Sequence, residues 1–446
     1  MQSSIFDGKE KFKINKPIRL IELFAGYGSQ HFALEYLGAK FESWKICEWA
    51  VKSIQAYKDA HFKDDNKDYS KHLLFDQVVD WLTWKGISAN YNEPMKREQI
   101  KRLGEEKCRK IYNNIKATHN LVNICETSGA DLEIKDVDKY TYLMTYSFPC
   151  QDLSIQGLSK GMEKGSGTRS GMLWEVERIL DEIVNGGGYL PQILLMENVP
   201  EVIGSKNIKH FAKWLEKLEQ LGYKNKWEVL NSKDYEIPQT RERCFMVSIL
   251  GDYYYDFPNK IKLEKKLEDL LEEEVDEKYY LSENFLDSMV KTNFNSYKLE
   301  KKLKGSDEIA DTIVARFDGA PQCVLIKNER YAVVKDVENF VEWRQKVFLE
   351  SDCRAFKKDK VAGTLTTNGK GKVLIDSFGD TYIVRKYTPK ECFRLMGVKD
   401  QDFERIAENQ SNASLYHLAG DSIVVDVLKN IFKEMLWLKL VKKKKS

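Results

Sequence analysis

The sequence contains no Cys-x-x-Cys pair among its eight cysteines and no His-Glu-x-x-His among its six histidines. Neither a structural zinc site nor a disulfide framework is expected, no metal ligand set stands out, and the cysteines suit a reducing cytoplasm. No segment resembles a signal peptide and no apolar run is long enough to span a bilayer, so no membrane partner is expected. Charge of one sign is also scarce: 71 Lys and Arg against 69 Asp and Glu leave a formal net charge of +2. Bulk charge therefore cannot drive binding to a polyanion, and any such contact must come from local basic surface. The run Lys442-Lys443-Lys444-Lys445 reads as a solvated tail. Internal repeats and low-complexity linkers are missing as well. What 446 residues do allow is a large core and a second, smaller domain.

Four motifs carry the chemistry, each at an apparent strand end. Ile18 to Phe24 reads as a strand, Ala25-Gly26-Tyr27-Gly28-Ser29 as a tight turn, and Gln30 to Leu37 as a helix stopped by Gly38. Glycines in such a turn let backbone pass close beneath a nucleotide-like ligand. A second apolar run, Trp44 to Cys47, ends in Glu48-Trp49, and an acid at that offset suits two ribose hydroxyls. The third glycine of a dinucleotide fingerprint is missing, because position 31 is His. A nucleoside without a pyrophosphate fits this turn better.

Next, Tyr142 to Tyr146 feeds into Ser147-Phe148-Pro149-Cys150-Gln151-Asp152, placing a cysteine where an open α/β sheet presents reactive groups. The run Ile193 to Met196 ends in Glu197-Asn198-Val199, with a carboxylate at its tip. Finally, Pro238-Gln239-Thr240-Arg241-Glu242-Arg243 leads into the strand-like Cys244 to Ile249. Arginines two apart at a strand start share one face, where they can grip a phosphate or a planar heterocycle.

Taken in order, these motifs resemble the C5-cytosine DNA methyltransferase family, from about Ile18 to Leu250 and again from about Ala362 to Leu436. Ser147 to Leu180, with Gly165-Ser166-Gly167-Thr168-Arg169-Ser170-Gly171-Met172-Leu173-Trp174-Glu175, looks most like bacterial members, a subset that includes CpG-modifying enzymes. Arg385 to Gly397 matches the family's ninth motif and Leu418 to Val425 its tenth.

The resemblance implies an α/β fold: a doubly wound, Rossmann-like S-adenosylmethionine-dependent domain with a smaller target-recognition domain. It implies Cys150 as the nucleophile that adds to cytosine C6, and Glu197 as the carboxyl that hydrogen-bonds N3. Arg243 is similar to the arginine that holds the flipped base, and Arg241 to the one nearer the backbone. S-adenosyl-L-methionine is the implied cofactor. Phe24 would meet its adenine, Ala25, Gly26 and Gly28 would allow close approach, and Glu48 would bind ribose with Trp49 beside it. Glu133, in Leu132-Glu133-Ile134 where the family has Gly-Asp-Ile, would touch adenine. Pro149, Leu173, Asp421 and Ser422 complete the expected cofactor site; the family has Asn where Asp421 stands.

Duplex DNA is the implied partner, with Gln151, Ser154, Gln156, Arg169 and Gln239 as expected contacts and Gln151 to Gly171 as a closing loop. The chain would act as a monomer, independently of any cognate restriction endonuclease. Residues 1–252 are expected to form the catalytic domain, with an insertion at about 52–130 that includes the helical-looking Glu98 to Lys116. Residues 253–360 would be the recognition domain, opening with a helical stretch around Leu263 to Glu277, and 361–446 the return to the catalytic domain. A tRNA cytosine methyltransferase and a non-catalytic DNA-binding descendant are the alternatives.

Overall fold

The computed structural model describes residues 10–149, 169–280 and 381–436, with the short segments 303–305, 309–313, 323–327 and 373–375. After a short strand β1 (Glu10–Lys11), the chain builds β2 (Ile18–Leu23), α1 (Ser29–Tyr36), β3 (Phe41–Cys47) and α2 (Val51–His61). Helices α3 (Phe75–Lys85), α4 (Arg97–Lys101) and α5 (Glu105–Ala117) follow, then β4 (Thr141–Tyr146), α6 (Leu173–Asn185), β5 (Ile193–Asn198) and α7 (Ile208–Gln220). Strands β6 (Tyr223–Asn231) and β7 (Glu242–Leu250) complete a six-stranded sheet of order β3-β2-β4-β5-β7-β6. β3, β2, β4 and β5 run parallel, while β7 is antiparallel to both its neighbours.

The central strands are buried along their whole length, as strands covered on both faces must be. One face packs under α6 and α7, with Leu173, Ile179, Phe211 and Trp214. The other packs under α1 and the last helix. Beyond the sheet lie β8 (Tyr253–Tyr254), β9 (Leu303–Gly305), β10 (Cys323–Lys327), β11 (Val373–Ile375) and β12 (Thr381–Lys386). Helices α8 (Pro389–Leu395), α9 (Asp400–Ala407), α10 (Asn412–Asp421) and α11 (Val425–Met435) close the chain. Val427, Leu428, Ile431 and Met435 of α11 share a core with Leu20 of β2 and Phe32 of α1. A separate four-stranded sheet, order β11-β12-β10-β9, carries strands on both sides of residue 360. No described helix is long and apolar enough to cross a membrane.

Two local expectations change. Glu98 to Lys116 is two helices rather than one, broken at Gly104, whose φ of +87° a side chain would resist. The stretch around Leu263 to Glu277 is an irregular strap with one short turn, Leu267–Leu270, and a second, Glu277–Tyr279, starting at its end. Leu267 is its buried anchor, and the Arg394 guanidinium donates to the carbonyls of Leu270 and Leu271. Those tertiary contacts override the helical propensity of its Leu, Lys and Glu residues, which is a weak prior on its own. The insertion has a core of its own, in which Ile54 of α2 packs with Val78, Leu82, Ile100 and Ile111.

The sheet order places a switch point between β2 and β4, because β3 leaves on one side and β4 on the other. Ligands bind at the carboxyl ends of the strands flanking such a switch.

Candidate active site

At that switch lies a cavity of about 460 Å³, within the size range of small-molecule sites. The β2–α1 turn forms its floor. Phe24 has φ +61°, costly for a residue with a side chain, and is held by its N–H donating to the Cys47 carbonyl. Gly26, at φ +56°, points its missing side chain into open space. Its N–H donates to Glu48 Oε2 at 2.9 Å, while the Ala50 N–H donates to Oε1 at 2.8 Å. Asn120 accepts from the Glu48 N–H and donates to its carbonyl, fixing the strand end that presents the acid. Burial pushes the Glu48 carboxyl up to about 7, against the lowering effect of those backbone donors.

Phe24, Ala25, Gly26, Glu48, Trp49, Pro149, Asp421 and Ser422 all line the cavity, as do Glu197, Arg241 and Arg243. Glu197 Oε1 sits 3.2 Å from Arg243 Nε. Burial raises the Glu197 carboxyl above the usual carboxylate range, and the two arginines only partly offset it. Next to it, Asn198 donates to the Phe148 carbonyl at 2.9 Å, tying the segment that leads into Cys150 to the end of β5. Arg241 is buried and donates to the carbonyls of Ile313, Gly420 and Ser422 at 2.8, 2.8 and 2.7 Å. Burial pulls it down to about 9, still cationic at neutral pH. The Tyr27 hydroxyl donates to Ser422 Oγ at 2.8 Å, so the turn and the C-terminal loop are joined behind the cavity. Asp421 Oδ2 lies 3.0 Å from His417 Nδ1.

Four expected contacts need correction. Glu133 does not line the cavity: it is exposed, pairs with Lys45 at 3.2 Å, and sits at the close of a short turn. The residues that reach the cavity from this region are Val122, Asn123, Ile124 and Cys125, because the chain runs beside the end of β3 there, through an Ile46–Asn120 bridge. The signal available in the sequence was Leu121-Val122-Asn123-Ile124, a mostly apolar segment shortly after the end of α5 at Ala117. Leu173 is wholly buried in the core of α6, and its neighbour Met172 faces the cavity instead. Gly28 is glycine for packing: a Cβ there would fall 2.4 Å from His61 Nε2, itself hydrogen-bonded to the Tyr27 carbonyl. Gln239 is buried, donating to the Leu395 carbonyl and accepting from the Ile313 N–H, which leaves it nothing for DNA.

Cys150, Gln151, Ser154 and Gln156, with most of the glycine-rich loop, lie outside the described residues; Arg169 opens the short turn Arg169–Met172. Sequence reasoning also missed Tyr91, Asn92 and Pro94 of the insertion, all of which line the cavity.

The chemistry of the donor set can be tested against a cofactor. Among the described lining residues the basic side chains are Arg241, Arg243 and His417, and each is already paired with carbonyls or a carboxylate. Among the described residues a pyrophosphate would find no uncommitted cation. Aromatic walls with the carboxylates of Glu48 and Asp421 instead suit a nucleoside bearing hydroxyls and positive charge, and S-adenosylmethionine fits that description.

Comparison with known proteins agrees. The sequence profile for "C-5 cytosine-specific DNA methylase" matches residues 92–437. The orphan methyltransferase M.SssI of Spiroplasma monobiae is 32% identical over 94% of this chain and 97% of its own. The type II methyltransferase M2.ScrFI of Lactococcus lactis subsp. cremoris is 32% identical over 94% of this chain and 99% of its own. The crystal structure of S. pombe Dnmt2 methyltransferase shares the fold at a TM-score of 0.55 and 15% identity, covering 94% of this chain and 97% of that one. The chain belongs to the C-5 cytosine-specific DNA methylases, S-adenosylmethionine-dependent enzymes that methylate DNA.

Proposed function

We propose that the protein methylates C5 of a cytosine flipped out of a defined duplex DNA site. It would serve as an orphan methylase or as the modification half of a restriction–modification pair. The carrying observation is that Glu197 and Arg243 meet, at one cavity, the Ser147–Pro149 segment that leads into Cys150. Cytosine C5 is a weak nucleophile until a thiolate adds at C6, and Cys150 is the residue assigned to that addition. Burial shifts the Glu197 carboxyl upward, towards the protonated form that would donate to N3 and so favour addition. Arg243 orients both the carboxyl and the base. When bound, S-adenosylmethionine supplies an electrophilic methyl carbon. Loss of the C5 proton to a solvent base, return of the N3 proton to the Glu197 carboxylate and departure of the Cys150 thiolate then restore the aromatic ring and the free enzyme.

Phe24, Ala25, Gly26, Glu48, Trp49, Pro149, Asp421 and Ser422 are assigned to the cofactor, with Asn123 taking the place expected of Glu133. Arg241 is assigned a positioning role, holding the C-terminal end of α10 at Gly420 and Ser422. Gln151, Ser154, Gln156 and Arg169 remain assigned to DNA, and the region between the two lobes of the catalytic domain to reading base edges. The enzyme is read as a cytoplasmic monomer, independent of any endonuclease. The test offers methyl-labelled S-adenosylmethionine with unmethylated bacterial genomic DNA or with bulk tRNA. Label is expected in DNA as 5-methylcytosine, and Cys150→Ser should abolish transfer while DNA and cofactor binding survive. Transfer to tRNA alone, or full activity in Cys150→Ser, overturns the proposal.

A further inference from the structure

The insertion builds part of the cavity wall, through a loop closed on itself. The Met95 N–H donates to the Ile87 carbonyl at 2.8 Å, and Asn90 Oδ1 accepts from the N–H groups of Asn92 and Glu93 inside it. Ser88 pins the base of the loop to the strand end that carries Glu48: its N–H donates to the Trp49 carbonyl at 2.8 Å and its carbonyl accepts from Val51 at 2.9 Å. At the tip, Tyr91 takes φ +62°, an unfavourable conformation that the surrounding hydrogen bonds enforce. Its hydroxyl lies 3.1 Å from Ser53 Oγ of α2. Its ring stacks on His417 of α10, with centroids 4.4 Å apart and planes 11° from parallel. His417 in turn pairs with Asp421, and Tyr91, Ser53, His417 and Asp421 all line the cavity.

We propose that Tyr91 is a cofactor-binding residue: stacked on His417, its ring closes the S-adenosylmethionine cavity and joins the insertion to the C-terminal loop. The helical insertion is therefore part of the cofactor site. Three features separate this role from surface decoration: the loop is closed by its own hydrogen bonds, its tip takes a left-handed backbone, and its ring reaches across to α10. Preorganised aromatic walls add affinity because little side-chain entropy is lost on binding.

The proposal rests on the cofactor assignment, and calorimetric titration of the full chain with S-adenosylmethionine separates the two. If the wild-type protein does not bind, the cofactor assignment itself fails. If it binds, Tyr91→Ala should raise Kd by about tenfold, the scale of one aromatic contact. Tyr91→Phe, which keeps the stack and loses the Ser53 contact, should recover most of that loss. KM for the cofactor should rise far more than kcat falls. Trp84→Ala, which removes an exposed ring elsewhere in the insertion, controls for general loosening and should leave Kd unaltered. An unchanged Kd in Tyr91→Ala overturns the inference. So does a Tyr91→Phe variant as weak as Tyr91→Ala, which would assign the effect to the Ser53 bond and the fold of the loop. Thermal melts identify a variant that fails to fold; His417→Ala then tests the same stack from the other side, with the same expected rise in Kd.

Discussion

Truncating Arg241 to alanine should both destabilise the protein and loosen its cofactor site. The guanidinium is enclosed and satisfies three main-chain carbonyls, two of them, Gly420 and Ser422, at the C-terminal end of α10 beside the cavity. Each buried polar group left without a partner costs roughly 1–3 kcal/mol. Against this stands relief from burying a cation, a cost visible in a pKa drawn down to about 9. Relaxation and entering water recover some of the remainder, so a net loss of about 2–4 kcal/mol is expected, a large share of a typical 5–15 kcal/mol stability. Urea denaturation measures the loss directly. Calorimetry on the folded variant should show Kd for S-adenosylmethionine raised by about tenfold, because Asp421 and Ser422 lose their anchor. Arg241→Lys keeps the charge, but one ammonium cannot reach three carbonyls in the same geometry, so it should fall between the two. Stability within about 0.5 kcal/mol of wild type, with an unchanged Kd, would refute the clamp.

Other perturbations test separate parts of the account. Asn123→Ala should weaken cofactor binding while Glu133→Ala should not, and calorimetry showing the opposite order would restore the sequence-based assignment. Glu22 lies buried beneath the turn, accepting from the Tyr57 hydroxyl, with its carboxyl raised to about 7 from 4.5. The native state therefore binds that proton more tightly than the unfolded chain, and its contribution to stability declines as pH rises from about 4.5 to about 7. The gap converts to roughly 3 kcal/mol at most, so Glu22→Gln should gain stability relative to wild type on going from pH 5 to pH 8. Denaturation curves with no pH-dependent difference would count against this. Glu197→Ala should lower kcat by roughly 10²–10⁴, the usual reach of a general acid, and leave cofactor Kd near wild type; a loss confined to Kd would move Glu197 out of the chemistry.

The strand ends were legible because their chemistry is local. A buried apolar run followed by a glycine turn, an acid or a Glu-Asn pair marks where an open sheet presents its site, and Phe24, Glu48, Pro149 and Glu197 all reach one cavity. Gly28 and Gln239 share one feature that the sequence does not display. Each sits in a motif near the site yet faces inward, towards His61 and towards α8, and sequence alone does not reveal which way a residue faces. Leu173 was one residue out of phase, since on a helix the neighbouring position points elsewhere. Glu133 was drawn in by a Leu-Glu-Ile triplet, whereas the insertion returns to the sheet earlier, at Asn120. Tyr91 carried no signal, because its partner His417 lies in the last part of the chain and only the closed fold joins them.

The most direct test of the central claim is to express the protein in a host without DNA methylation and bisulfite-sequence the host genome. The account predicts one short motif in which a defined cytosine is methylated throughout, and its loss when Cys150→Ser is expressed instead. An unmethylated genome in cells containing folded protein that binds S-adenosylmethionine would contradict it.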